Sequence, residues 1–134
     1  MSDFFDTNIL VYAQQDGAKA ETARALLARG GVLSVQVLNE FAAVARRKLG
    51  KEWDDIGAAI EDALALVDPP LPLTTALHEA ARGLARDHGF AFYDALIVAA
   101  AVEAGCDRLL SEDMQSGRAL GGLTIVNPFA GAAA

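Results

Sequence analysis

Short apolar segments alternate with longer segments of helical periodicity along this chain, and this alternation restricts the fold more than any other feature. The five predicted strands are Phe4–Asp6, VLSV, Leu71–Leu73, RLLS and LTIVN. Most of the segments between these strands carry apolar residues at helical spacing. Short strands that alternate with helices predict a parallel sheet with helices on both faces, which is an α/β fold.

The predicted helices are punctuated by glycine and proline. The clearest one carries Leu38, Phe41, Ala42, Ala45 and Leu49 on one face, the i, i+3, i+4, i+7 stripe of a core-facing helix, and Gly50 closes it. The other helices are expected at about 8–14, 20–29, 54–67, 75–88 and 94–104. We predict one domain over residues 1–129 and a short tail, 130–134, that frays.

Composition excludes several classes of protein. Hydrophobic residues make up 53% of the 134 residues, so a packed core is expected. The longest apolar runs are too short to cross a bilayer, and no signal peptide is predicted. The single cysteine, Cys106, cannot form an internal disulfide or a thiolate metal site alone. These features favour a cytoplasmic protein without a membrane partner.

Four acidic residues lie at the ends of predicted elements. Asp6 ends the first strand in FFDTNILVYA, and Asp113 follows the RLLS strand. Glu40 lies beside the apolar stripe of its helix, and Asp94 opens the most apolar helix. Because sites in parallel α/β sheets form beyond the carboxyl ends of the strands, these carboxylates are expected to meet at one edge.

Each of these acids alone has a simpler structural explanation. Asp6 and Asp94 suit the start of a helix, where free N–H groups and the helix dipole favour an anion. Glu40 alone suits a solvated helix face, and Asp113 alone suits a loop. An acid that begins a helix can also bind a metal, so the two explanations are compatible. The placement of all four at one edge favours a site.

A cluster of carboxylates has narrow chemistry. Two carboxylates about 4 Å apart repel by roughly 4 kcal/mol at an effective dielectric constant near 20, so the cluster must hold protons or cations. Oxygen ligands without histidine or cysteine suit Mg²⁺ or Mn²⁺. Pairs of such ions activate water and stabilise the leaving oxygen in phosphodiester cleavage. The four acids are therefore compatible with a divalent metal site, and phosphodiester cleavage is one reaction that such a site supports.

Four motifs in order give the chain a family resemblance. The motifs in chain order are FFDTNILVYA, SVQVLNEF, FYDALIVAAA and LLSEDMQSG, and the segment LTIVNPF follows them. They resemble the motifs of the PIN-domain family, in particular the VapC-type ribonuclease toxins of bacterial type II toxin–antitoxin systems. The resemblance covers nearly the whole chain. It implies a three-layer α/β/α sandwich with a central parallel sheet of strand order 3-2-1-4-5.

The resemblance also implies roles and partners. Asp6, Glu40 and Asp94 would hold the principal Mg²⁺ or Mn²⁺ ion, and Asp113 would complete the cluster. Their hydrogen-bond partners would be Thr7, Asn8 and Ser111, while Glu112 could share or replace the role of Asp113. The implied substrate is RNA. The implied partners are a second copy of the chain and a small antitoxin, with a higher assembly of toxin and antitoxin as an option.

The net charge of −7 opposes binding to nucleic acid in general. Bound divalent ions would offset part of this charge. A local basic run consists of Arg46, Arg47, Lys48 and Lys51 and suits contact with phosphates. The alternative is a solvated helix end whose cations the helix dipole favours.

Two other functions compete with the nuclease. An aspartyl-phosphate enzyme on a similar sheet could use Asp6, but it needs a lysine at a later strand end, where the sequence has none. A non-catalytic binding module could keep the fold without chemistry, although it would not need four acids. A nuclease assay with and without Mn²⁺ separates both from the nuclease.

Overall fold

The structure, a computed structural model, describes residues 2–130. Helices lie within three residues of the predicted ends, whereas the predicted tail lies outside the described residues from position 131 onward. The elements in chain order are β1 Asp3–Phe5, α1 Thr7–Ala13, α2 Ala18–Ala28, α3 Val35–Arg47, α4 Trp53–Leu64, α5 Thr75–His88, α6 Phe92–Glu103, β2 Arg108–Leu110, β3 Ala119–Leu120 and β4 Leu123–Val126.

The central sheet confirms the α/β fold class but differs from the predicted strand order. Its four strands follow the order β1-β2-β4-β3, with β1, β2 and β4 parallel. The predicted strands VLSV and Leu71–Leu73 form only isolated parallel bridges, Phe4 with Val32 and Ser34 with Leu71. They lie beyond β1 with the neighbours that the prediction gave them, but they form no ladder, so the order 3-2-1-4-5 differs from that of the four-stranded sheet.

The sheet is also not wholly parallel, because β3 pairs with β4 in antiparallel fashion. The sequence predicts no strand in this segment. The chain reverses through Gly121 and Gly122, and Gly121 adopts a φ of 59°, which suits a two-residue hairpin turn. Two residues of strand are too few for a periodic pattern, which explains why β3 was missed.

Helices cover both faces of the sheet. Phe4 and Phe5 point to opposite faces of β1, and both are fully buried. Helix α6 contacts β2 and α5, while α1 contacts α2 and α3. The segment beside β1 needs a glycine at Gly31, because a Cβ there would lie 2.7 Å from the carbonyl oxygen of Asp3. In the described part of the chain, no helix is long and apolar enough to span a membrane.

Backbone pairing continues past the carboxyl ends of the strands and positions the site. The Asp6 N–H donates to the Leu110 carbonyl at 3.0 Å, and the Ser111 N–H donates to the Val126 carbonyl at 3.0 Å. Asp6 and Ser111 therefore leave the sheet side by side. Residues that are 105 positions apart in the chain become neighbours at this edge.

Candidate active site

Asp6 is buried at the junction of β1 and α1. It is the N-cap of α1, where its Oδ1 accepts from the Thr7 N–H at 2.7 Å and its Oδ2 accepts from the Ser111 hydroxyl at 2.6 Å. Burial raises the pKa of Asp6 to about 6, although both hydrogen bonds oppose this, and the charges of Asp94 and Glu40 raise it further. Asp6 is thus both a helix cap and a carboxylate that lacks a countercharge.

Glu40 reaches the same place from helix α3. Its Oε2 accepts from the Gln36 amide at 3.0 Å, and its Oε1 accepts from the Thr7 hydroxyl at 3.4 Å. The residue is half-buried, and burial raises its pKa, with the charge of Asp94 adding to the effect. Glu40 therefore faces the other acids rather than open solvent.

Asp94 lies in the first turn of α6. The sequence predicted that it opens the helix, and this prediction is wrong. Ala91 is the N-cap, and Phe92 is the first helical residue. Burial raises the pKa of Asp94, and the charge of Asp113 raises it further. The first turn of a helix favours an anion, and here the neighbouring carboxylate opposes that anion.

Asp113 lies in the loop after β2 and is exposed. The Asn8 amide donates to its Oδ2 at 3.2 Å. Upstream in the same loop, the buried Ser111 hydroxyl accepts from the Met114 N–H at 3.2 Å while it donates to Asp6. Ser111 therefore connects the loop that carries Asp113 to the buried carboxylate.

The four acids line one cleft, which we call the acidic cleft. Its volume is about 340 Å³. Within residues 2–130, however, no three His, Cys, Asp or Glu side chains are arranged as they stand to hold one metal ion. The cleft is lined by Asp6, Thr7, Asn8, Val11, Tyr12, Gln15, Glu40, Val44, Lys48, Asp94, Glu112 and Asp113.

The predicted basic run is only partly at the cleft. Of its four residues, Lys48 alone lines the acidic cleft. Arg46 instead lies over the ring of Trp53, at 5.5 Å from the centroid, and its guanidinium is 3.7 Å from Glu52. Arg47 is exposed, and the carbonyl of Lys51 accepts a hydrogen bond from Arg46. The run is thus a helix end with one residue directed to the site.

Several residues at the site were not predicted from the sequence. Tyr12 and Gln15 line the cleft from α1 and the turn after it, and Gln36 supports Glu40. Helical spacing was the available signal, since Gln36 is four positions before Glu40 and Tyr12 is four positions after Asn8. Lys19 contacts Glu112, 93 positions away, and no local pattern announces that contact.

Fold and site together define an α/β domain with an acidic cleft at the carboxyl edge of its sheet. Residues 4–118 match the family model of the PIN domain. Because this match spans most of the chain, the protein belongs to the PIN domain family. Among curated proteins, none matches the sequence of the chain significantly.

Solved structures share the fold. VapC20 from Mycobacterium tuberculosis, described as a Sarcin-Ricin loop cleaving toxin, aligns with a TM-score of 0.69 and 24% identity, covering 84% of this chain and 90% of that one. A toxin–antitoxin complex from Klebsiella pneumoniae aligns with a TM-score of 0.70 and 19% identity, covering 95% and 98%. VapBC2 from Rickettsia felis, bound to a DNA fragment from its promoter, aligns with a TM-score of 0.66 and 16% identity, covering 93% and 97%.

Proposed function

We propose that this protein is a metal-dependent endoribonuclease, the toxin of a type II toxin–antitoxin module that a cognate antitoxin neutralises. One observation carries the proposal. Carboxylates from four separate elements line the acidic cleft, and burial and mutual repulsion raise the pKa values of three of them, Asp6, Glu40 and Asp94. A divalent cation would remove this repulsion.

The donor set fits Mg²⁺ or Mn²⁺, because the acids offer oxygen ligands without histidine or cysteine. Asp6, Glu40 and Asp94 would hold the principal ion directly or through water, and Asp113 would complete the set. Small movements of the side chains are needed, since the acids do not enclose an ion as they stand. When bound, the ion would activate water for attack on a phosphodiester.

The other residues of the cleft have supporting roles in this proposal. Thr7 and Ser111 hold Glu40 and Asp6 through their hydroxyls, and Asn8 holds Asp113 through its amide. Such hydrogen bonds fix the orientation of ligands and affect metal affinity. Lys48 is placed to contact an RNA phosphate, because it lines the same cleft. Contacts of Arg46, Arg47 and Lys51 with RNA would lie outside the cleft.

The proposed partners follow from the family and the structural neighbours. Two of the three solved structures above are described as a toxin–antitoxin complex or a VapBC pair, and the third as a toxin that cleaves the Sarcin-Ricin loop. We propose RNA as the substrate of this chain and an antitoxin as its inhibitor. A homodimer, which could join a larger assembly with antitoxin, and a cytoplasmic location complete the proposal.

The direct test is an RNA cleavage assay with single-stranded and hairpin RNAs. Wild-type protein should cleave with Mn²⁺ or Mg²⁺ and not in EDTA. Glu40→Gln and Asp94→Asn should each lower the rate at least about 100-fold, since a bound metal would lower the barrier by several kcal/mol. Wild-type rates in both folded variants would contradict the site. Absence of cleavage with any RNA tested, alongside Mn²⁺ binding, would favour a binding module or an aspartyl-phosphate enzyme.

A second experiment tests the toxin role. Expression in bacteria without an antitoxin should arrest growth, and Asp6→Asn should relieve the arrest. The two proteins should reach the same soluble level, which immunoblotting checks. Equal arrest by both would contradict a toxin that acts through the acidic cleft.

A further inference from the structure

Glu112 lies beside Asp113, and its carboxylate is held on both oxygens. Lys19 Nζ, from α2, is 2.6 Å from Oε2, and the Tyr12 hydroxyl, from α1, donates to Oε1. Lys19 also lies 5.0 Å from the centroid of the Tyr12 ring, and Tyr12 packs edge-to-face on Phe129 at 5.0 Å. We call Tyr12, Lys19 and Glu112 the Glu112 cluster.

Glu112 has a countercharge. Lys19 Nζ lies 2.6 Å from its Oε2, and the two side chains are 38% and 22% exposed. Within residues 2–130, Asp6, Glu40, Asp94 and Asp113 form no such ion pair. Glu112 therefore differs from these four acids, although it lines the same cleft.

The cluster constrains the loop that carries Asp113. On one side of this loop, the Glu112 side chain contacts α1 and α2. On the other side, the Glu112 N–H donates to the Asn8 amide oxygen at 3.4 Å, and the Asn8 amide nitrogen donates to Asp113. Asp113 itself is exposed. Its position therefore depends on its hydrogen bond from Asn8 and on the contacts that Glu112 makes in the same loop.

We infer that Glu112 is a positioning residue and not a metal ligand: Lys19 and Tyr12 hold it so that the loop keeps Asp113 in the acidic cleft. This inference rests on the proposed function, because it places Asp113 at the metal site. A metal ligand at Glu112 would have to share its carboxylate with Lys19, and the ammonium and the metal would then repel each other.

Mn²⁺ binding measured by calorimetry separates positioning from ligation. The proteins to compare are wild type, Glu112→Gln, Lys19→Met and the double variant. Positioning predicts that each single variant weakens Mn²⁺ binding about tenfold, and that the double variant is no weaker than either single variant, because all three lose the same contact. Glu79→Gln, which removes one negative charge from an exposed position of α5, should bind as wild type does.

Ligation by Glu112 predicts the opposite pattern. Glu112→Gln would then weaken Mn²⁺ binding, while Lys19→Met would tighten it by removing a nearby cation. That pattern would overturn the inference, and so would wild-type affinity in both single variants. Lys19→Arg, which keeps the charge, should retain most of the Mn²⁺ affinity. This result would show that Lys19→Met loses affinity because the charge is lost and not because the protein misfolds.

A spectroscopic readout tests the cluster without metal or RNA. The hydrogen bond to Glu112 raises the pKa of Tyr12, with burial adding to it. In a Tyr93→Phe background Tyr12 is the one tyrosine, since the chain has two, so tyrosinate absorbance reports on it alone. Glu112→Gln should lower that pKa, and Glu79→Gln should not. An unchanged titration in Glu112→Gln would overturn the inference.

If wild type binds Mn²⁺ and cleaves RNA while the cluster variants match it, only the positioning role falls. If wild type neither binds Mn²⁺ nor cleaves RNA, the proposed function falls and takes the positioning role with it. In that case a shifted Tyr12 titration would show that the cluster forms for structural reasons alone.

Discussion

A buried carboxylate lies at each end of the paired strands β1 and β2, and the two carboxylates have different partners. At the amino end, Asp3 pairs with Arg108 through two hydrogen bonds of 2.7 and 2.8 Å, and the two residues are partners in the strand register. At the carboxyl end, Asp6 faces Ser111, whose hydroxyl donates at 2.6 Å. One carboxylate has a guanidinium beside it, and the other has a neutral hydroxyl.

This difference indicates what each end is for. The Asp3–Arg108 pair is bidentate, a geometry that stabilises both charges, and it raises the pKa of Arg108. Burial raises the pKa of Asp6, and the nearby charges of Asp94 and Glu40 raise it further, while no cation lies beside it among residues 2–130. A buried charge without a partner costs free energy unless a proton or an ion neutralises it. The amino end is therefore a structural pair, and the carboxyl end is suited to a cation.

The largest expected effect is on RNA cleavage, which a substitution at the carboxyl end should reduce far more than one at the amino end. Asp6→Asn should lower metal-dependent RNA cleavage at least about 100-fold, because it removes a proposed ligand of an ion that would contribute several kcal/mol to catalysis. Asp3→Asn makes the same chemical change three positions earlier, and it should keep most of the activity below its melting temperature. Rates are compared at saturating Mn²⁺ on the same RNA. Equal losses in the two folded variants would break the comparison.

The second expected effect is a difference between wild type and Asp6→Asn in how stability depends on pH. Burial raises the pKa of Asp6 from 3.8 to about 6, so the folded protein retains a proton that the unfolded chain releases in that range. Stability contributed by this proton is present below pH 4 and is lost as the pH rises to 6. The loss is about 3 kcal/mol for this change in pKa. Asp6→Asn lacks this group.

Urea unfolding in EDTA measures this effect. The free energy of unfolding of Asp6→Asn, relative to wild type, should increase by up to about 3 kcal/mol between pH 4 and pH 7. Asp3→Asn should not show the same increase over that range. Parallel curves for wild type and Asp6→Asn would show that the carboxyl end is not strained by its charge.

Metal binding should stabilise the protein by a similar amount. Mn²⁺ at a hundredfold excess over its dissociation constant should add about 2.7 kcal/mol to wild type, if it binds only the folded state. Asp94→Asn should melt higher than wild type in EDTA, because it removes repulsion with Asp113, and it should gain less from Mn²⁺. Thermal melts of both proteins, with and without Mn²⁺, measure this.

The matched control for the melts is Glu103→Gln, which changes an exposed acid on the same helix, α6. It should respond to Mn²⁺ as wild type does. A wild type that gains nothing from Mn²⁺ would contradict the metal site at the carboxyl end.

The smallest expected effect concerns the amino end. Asp3→Asn should destabilise the protein by about 2 kcal/mol, less than the roughly 3–5 kcal/mol of a fully buried pair, since the Arg108 side chain is 28% exposed. Urea unfolding at pH 7 measures it. In a double-mutant cycle with Arg108→Met, the second substitution should cost little once the first is made. Additive losses would mean that the pair contributes no coupling.

The sequence predicted the helices well and the strands less well. Helix α3 can be predicted from the sequence because Phe41 and Ala45 lie at helical spacing, and the structure buries both. The VLSV segment has the composition of a strand, yet it makes only bridges at Phe4–Val32 and Ser34–Leu71. Strand pairing depends on a partner far away in the chain, which local composition does not encode.

The candidate site divides in the same way. Asp6, Glu40, Asp94 and Asp113 were predicted from their positions at element ends, and the structure brings all four to one cleft. The basic run was predicted as a unit, but only Lys48 lines that cleft. Side-chain direction on a helix end is set by neighbours such as Trp53, which lies under Arg46.

By itself, the sequence determined what can be read locally: an α/β alternation, six helices with approximate ends, and four acids at positions that a parallel sheet gathers at one edge. Only the tertiary structure decided which carboxylates obtain a cation. Arg108 neutralises Asp3 and Lys19 neutralises Glu112, each across more than 90 positions of chain, whereas Asp6 obtains a hydroxyl. The physical reason is that charge compensation depends on distances of a few ångströms in space, and these are set by packing and register rather than by neighbours in sequence.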